Sequence, residues 1–170
     1  MAKRALGPYE SEKVRLRLLE EADLPRTLAW RNQDHIRKWF FNSDVITEDQ
    51  HRGWFAKYRE RDDDFIFVIE STADGHQPVG QVSLYHIDWD RRMAEYGRLM
   101  IGESSARGKG LAHAATQRLL EAAFGDMGLR EVYLEVIADN EPAIAIYRAC
   151  GFVEESQDER GLRMIRRIGS

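Results

Sequence analysis

The segment Arg107-Gly108-Lys109-Gly110-Leu111-Ala112 has the residue types and spacing that most directly suggest a chemistry. Glycines at alternate positions let the backbone turn tightly and bring successive N–H groups together, and a helix starting there adds the positive end of its dipole. Such a cradle suits a pyrophosphate, with Arg107 and Lys109 supplying charge. A tight turn into a core helix, with two solvated basic residues, would read the same way. The segment is neither a Walker loop, since no Gly-Lys-Ser/Thr ending is present, nor a GxGxxG fingerprint, since His113 stands at the third glycine position. Downstream, Asn140 and Tyr147 lie about two turns apart along one helical run. Asn140 is also a natural N-cap, and Tyr147 also suits an apolar helix face. Glu135 and Glu95 stand inside strand-like runs, where a partly desolvated carboxylate becomes a better base; a salt-bridged strand residue is the plainer alternative. The single cysteine, Cys150, excludes an intrachain disulfide and a multi-cysteine metal site. His35, His51, His86 and His113 lack ligand spacing, so no metal is expected.

These residues need elements to position them. Val14-Arg15-Leu16-Arg17-Leu18 alternates with the period of a half-buried strand. Asp23 reads as the N-cap of a helix with Pro25 in its first turn, and its signal fades near Trp39. Thr47 with Gln50 three residues on forms a capping-box pattern that opens a second helix through about Arg61. Strands are expected over Asp64–Ser71, Val79–Ile87 and Met93–Gly102, and their short connections favour antiparallel pairing. A helix follows from about Leu111 to Phe124, then a strand from Glu131. Asn140–Ala149 is helical with Gly151 just past its end, and Phe152–Ile168 completes the chain with two strands. The expected fold is α/β (α+β in some schemes), one mixed, largely antiparallel sheet of six to seven strands with helices on both faces. Residues 1–13 read as a flexible tail and 14–170 as a single domain.

The chain has 170 residues, with 25 Lys+Arg against 29 Asp+Glu, a net charge of −4. That balance gives no support to a nucleic-acid partner. No apolar run approaches the ~20 residues of a membrane span, and no signal-peptide core opens the sequence, so a cytoplasmic setting is expected.

The glycine loop resembles the acetyl-CoA pyrophosphate loop of the GNAT (Gcn5-related) N-acetyltransferases, [Q/R]-x-x-G-x-[G/A], with Ser105 departing from the pattern at its first position. Asn140-Glu141-Pro142-Ala143-Ile144-Ala145-Ile146-Tyr147 followed by Gly151-Phe152 is similar to that family's N-x-x-A-x-x-x-Y…G-F helix. The resemblance implies an acetyl-CoA-dependent N-acetyltransferase using no metal. It implies cofactor contacts from Arg107, Gly108, Lys109, Gly110, Leu111, Ala112, Asn140 and Tyr147, and main-chain pairing from Leu99, Met100 and Ile101 on a bulged fourth strand. Tyr147 takes the role of general acid to the departing thiolate, a feasible transfer for a phenol with pKa near 10. Glu135 matches a glutamate of the ribosomal-protein acetyltransferase branch. Glu95 matches an acidic residue that works through water.

For the acceptor, Trp30-Arg31-Asn32 and Ile36-Arg37-Lys38-Trp39 resemble a stretch of sugar-nucleotide N-acetyltransferases, which implies substrate contacts from Trp30, Arg31, Asn32 and Trp39. Trp30 and Trp39 packed in the core with solvated cations is the plainer reading. Parts of the chain also resemble spermidine acetyltransferases. Arg31, Arg37, Lys38 and Arg98 would welcome a nucleotide diphosphate and repel a polycation. The expected partner is a small-molecule amine, an amino sugar or its nucleotide ahead of a polyamine and then a protein N-terminus, by direct attack in a ternary complex. A non-catalytic CoA-binding module is the competing class, and a homodimer stays open.

Overall fold

A computed structural model describes residues 3–169; Met1, Ala2 and Ser170, counted above within the tail and the domain, lie outside the described residues. Eight strands form one sheet, β1 (Tyr9–Glu10), β2 (Val14–Leu18), β3 (Phe65–Ser71), β4 (Gln77–Asp88), β5 (Met93–Ile101), β6 (Glu131–Val136), β7 (Val153–Gln157) and β8 (Leu162–Arg167), in the order β1-β2-β3-β4-β5-β6-β8-β7. Every pairing is antiparallel except β5 with β6. Five helices flank the sheet, α1 (Leu24–Arg31), α2 (Asp34–Arg37), α3 (Glu48–Tyr58), α4 (Leu111–Phe124) and α5 (Glu141–Ala149).

Period-2 alternation on β3 divides the core between the two faces. Phe65, Phe67 and Ile69 join the cluster packed by Leu111, Ala115, Leu119 and Leu120 of α4 together with Ile144 and Tyr147 of α5. Ile66 and Val68 point the other way, into Leu24, Phe55 and Tyr58 of α1 and α3. β3 is therefore buried along its whole length and reads as a continuous apolar run from Phe65 to Ile69, before the buried polar pair Glu70 and Ser71.

Two expectations need correction. The sheet has eight strands rather than six or seven, because β1 adds an edge. The expected tail at 1–13 is also packed where it is described. Tyr9 is buried, donates its hydroxyl to Asp126 at 2.7 Å and meets the Phe67 ring. Arg4 forks onto Asp62, and Lys3 lies over the Tyr58 and Phe65 rings. A two-residue strand is too short to leave a periodic signal. The Thr47–Gln50 capping box forms as expected. Asp23 makes no side-chain cap to α1; it accepts a fork from Arg17 at 2.8 Å on each oxygen and the Glu20 amide. Among the described residues no helix is long and apolar enough to cross a membrane.

Candidate active site

β5 and β6 are paired only from Met93 to Glu95, opposite Glu131 to Tyr133. Beyond Glu95 the two parallel strands separate, and from Tyr96 to Ile101 β5 keeps partners on β4 alone. A cavity of about 400 Å³ opens in the gap, walled by Tyr85, Glu95, Leu99, Met100, Ile101, Leu134, Glu135, Asn140 and Tyr147 among others. The register between β4 and β5 slips between Gln81 and Ser83, opposite Met100 and Gly97, so the expected bulge is real and falls around Arg98. Arg98 takes a φ of 55°, a left-handed conformation for a residue with a Cβ, and such strain concentrates at functional sites. Its guanidinium forks onto Asp64 at 2.7 and 3.2 Å and stacks 4.1 Å over the Tyr85 ring.

A short 3₁₀ turn, Ser104–Ala106, leads from β5 to the glycine loop, where Gly108 and Gly110 both hold a φ of 76°. Gly110 is the N-cap of α4 and provides no side-chain cap. The amides of residues 108 to 113 donate to no acceptor among the described residues; the first helical bond runs from Ala114 to the Gly110 carbonyl. This run of free donors at a helix N-terminus, exposed from Arg107 to Gly110 and with Arg107 and Lys109 beside it, fits a diphosphate. Lys13 adds a third cation, its Nζ donating to the Lys109 carbonyl at 3.3 Å. Arg107 and Ala112 reach the cavity wall, so loop and cavity are continuous.

Tyr147, on α5, packs edge-on against the Tyr96 and Phe152 rings. Its hydroxyl has no protein partner among the described residues, although the residue lines the cavity. Burial, and then the neighbouring Cys150, push the phenol well above its ordinary value, so it keeps its proton throughout the neutral range. Asn140 was read as an N-cap, but its side chain makes no cap bond and lies half-buried at the cavity wall.

The two glutamates differ sharply. Glu95 accepts from the Tyr85 hydroxyl at 3.0 Å and pairs with His86 Nδ1 at 2.9 Å, its side chain 14 % exposed. Glu135, expected to be partly desolvated, is exposed. Its β6 neighbours Val132, Leu134 and Val136 fill the α4 side, and β5 has already diverged, so nothing covers the carboxylate from the other.

The acceptor-side residues separate as well. Trp39 lines the β5–β6 cavity, and Arg31 lines a second cavity of about 450 Å³ beneath α3 and the 38–46 loop. The two cavities share Phe40, Arg98 and Met100 as walls. Trp30 and Asn32 line neither. Trp30 is buried against Met100, with its indole where a Cβ on Gly102 would stand, and its Nε1 donates to Glu103. Asn32 exchanges two hydrogen bonds of 2.8 Å with the Ile46 backbone and so fixes the loop. Of the cations singled out, Arg37 is neutralised by Asp34 and Arg98 by Asp64, while Lys38 lies over the Trp39 ring. Among the described residues Arg31 has no carboxylate partner, although Asp44 lines the same cavity; it donates to the Asn42 carbonyl, leaves Nη1 unsatisfied and stacks 4.2 Å over Phe40. Burial, and next the proximity of Arg37, lower its pKa, the mark of an uncompensated charge.

Sequence reasoning missed Tyr85, His86 and Gly97 as part of the site. A Cβ on Gly97 would stand 2.7 Å from the Tyr85 hydroxyl, so glycine there makes the Tyr85–Glu95 contact available. The lone glycine inside a strand pattern was the signal. No group of His, Cys, Asp and Glu able to hold a metal occurs among the described residues.

Comparison with known proteins bears on the family and the fold. A family model described as an acetyltransferase (GNAT) domain matches residues 13–153. The chain is 29 % identical to a spermidine N(1)-acetyltransferase of Vibrio cholerae, over 85 % of this chain and 82 % of the relative. The crystal structure of the Vibrio cholerae spermidine N-acetyltransferase in complex with CoA and spermine superposes with a TM-score of 0.82 at 27 % identity, covering 92 % and 96 % of the two chains. A putative ribosomal N-acetyltransferase of Bacillus subtilis is 31 % identical over 89 % of this chain and 84 % of its own length. Rice glucosamine 6-phosphate N-acetyltransferase 1 is 29 % identical over 91 % and 90 %.

Proposed function

This chain belongs to the GNAT family of acetyl-CoA-dependent N-acetyltransferases, and we propose that its acceptor is a small primary amine carrying a phosphate or diphosphate, of the amino-sugar kind. The observation that carries this reading is Arg31, a buried guanidinium without a carboxylate partner at the wall of the cavity that meets the cleft on Arg98 and Met100. A buried, unpaired charge is costly, and an anion in the adjoining space offsets that cost. A polycation would deepen it. Relatives of similar identity take their names from a polyamine, a ribosomal protein and an amino-sugar phosphate, but spermidine acetyltransferases recur among both the relatives and the solved structures, so similarity leans towards a polyamine and the amino-sugar reading stands on Arg31 against that lean.

The free amides of residues 108 to 113 would hold the diphosphate of acetyl-CoA, and the unpaired edge of β5 at Leu99–Ile101 its pantetheine arm. Glu95 takes the proton of the incoming ammonium, directly or through one water, and the neutral amine attacks the thioester carbonyl. Tyr147, protonated at neutral pH, donates its hydroxyl proton to the sulfur as the C–S bond breaks, and the proton that the acylated nitrogen loses restores the phenol through water. Glu135, exposed and without a bonding partner to orient it, is the weaker candidate base.

Thiol release from acetyl-CoA in the presence of glucosamine 6-phosphate, a nucleotide-linked amino sugar, spermidine and an alanyl peptide tests the assignment. A kcat/KM for a phosphorylated amine about ten-fold or more above that for spermidine is expected. The reverse order would replace this acceptor class by the polyamine one.

A further inference from the structure

Regular pleating sends consecutive side chains of a strand to opposite faces, yet Tyr85 and His86, neighbours on β4, bond the same carboxylate. Tyr85 donates its hydroxyl hydrogen to Glu95 Oε2 at 3.0 Å, and His86 Nδ1 lies 2.9 Å from Oε1. Two features make this arrangement. The β4–β5 register slips between Tyr85 and Asp88, and His86 takes a φ of 49°, a conformation in which a residue with a Cβ is held against its own preference. The histidine side chain is 62 % exposed while the carboxylate is 14 % exposed. Glu95 lines the cleft and His86 does not. The pair thus spans from the reaction cavity to bulk water. Tyr85, half-buried and held protonated by desolvation and by Glu95, already orients the carboxylate, so a second orienting partner would be redundant. Other charged groups near His86 are Asp63, which is bonded by Arg61 and whose carbonyl accepts the Ile87 amide, and Arg98, stacked over the Tyr85 ring.

We propose that His86 is the outlet for the acceptor's proton, a relay that rests on the reading of Glu95 as the base. An ammonium N–H bond breaks as an O–H bond forms on Glu95. That proton passes to Nδ1 of His86 in its Nε2–H tautomer, which restores the carboxylate and leaves an imidazolium beside it. The imidazolium then releases its Nε2 proton to water, and the exposed ring turns so that its Nδ1–H exchanges with solvent while Nε2 takes a proton back, which restores the starting tautomer with no further net proton change. The net change is one proton moved from amine to solvent, with no change of oxidation state. Histidine suits this task because its ordinary pKa lies near neutrality.

His86→Asn tests the relay. Asparagine tolerates the left-handed backbone and can donate a hydrogen bond to Glu95, but it cannot titrate. Thiol-release kinetics use glucosamine 6-phosphate or spermidine, whichever is turned over faster, with His86→Gly as a second variant free of backbone strain. We expect kcat to fall about ten-fold with both KM values within about two-fold of wild type, and added imidazole to restore much of the loss. A wild-type kcat in both variants, or a loss that imidazole does not relieve, overturns the relay. Glu95→Gln separates the two layers. It should slow turnover about 100-fold without imidazole rescue. A wild-type rate in Glu95→Gln removes Glu95 as base and the relay with it, whereas a slow Glu95→Gln beside unaffected His86 variants removes the relay alone.

Discussion

Residues 107–113 offer a ligand main-chain amides, whereas the region around Arg31 offers side-chain charge, and the two kinds of construction respond differently to change. The first depends on backbone conformation. Its donors belong to every residue type, so Ser105 can stand where the family pattern has Gln or Arg without dismantling the cradle, but Gly108 and Gly110 must hold a φ of 76°. The second depends on which side chain occupies a position and on what neutralises it. Arg37 and Arg98 carry the same charge as Arg31, yet carboxylates claim theirs.

Mutations can break or sharpen this contrast. The largest effect should come from Tyr147→Phe, which removes a single hydroxyl without disturbing the ring packing. We expect kcat to fall about 100-fold with acetyl-CoA affinity unchanged, measured by thiol release and calorimetry. An unchanged kcat would take Tyr147 out of the chemistry. Next is Gly110→Val, which should weaken acetyl-CoA binding about 5- to 30-fold, from the ~1–2 kcal/mol typical of forcing a branched residue into left-handed backbone. Gly110 has open space apart from Lys13 Nζ at 3.3 Å, so the loss would come from conformation rather than crowding. The smallest effect should come from Arg31→Met. KM for a phosphorylated amine should rise several-fold to about ten-fold, while thermal stability holds or increases because a buried unpaired charge has gone. A fall in stability together with an unchanged KM would make Arg31 a structural residue.

The contrast also explains what could be read from the sequence. The glycine loop and the α5 helix were legible because local sequence specifies local conformation, and their residues lie within a few positions of one another. The bulge on the fourth strand was expected, but the pairing of β5 with β6 and the gap that makes the cleft emerge only from the folded sheet. The acceptor side was not legible in that way. Trp30 and Asn32 lie beside Arg31 in sequence, but the helix turns them elsewhere, one onto Gly102 and the other onto Ile46. Glu135 and Glu95 looked equivalent as mid-strand carboxylates. Only the point at which β5 leaves β6 makes one exposed and the other enclosed. His86 could not be found at all without the register slip that turns it towards Glu95.

The seating of the Trp30 indole on the bare backbone of Gly102 joins the first helix of the acceptor half to the end of the strand that feeds the diphosphate loop. A displacement of α1 as an amine settles would be felt at residues 102–107 through rigid contact, with the Trp30–Glu103 bond keeping the indole from sliding. The position of α1 and the path of residues 102–107 are therefore fixed against one another by that one aromatic wedge.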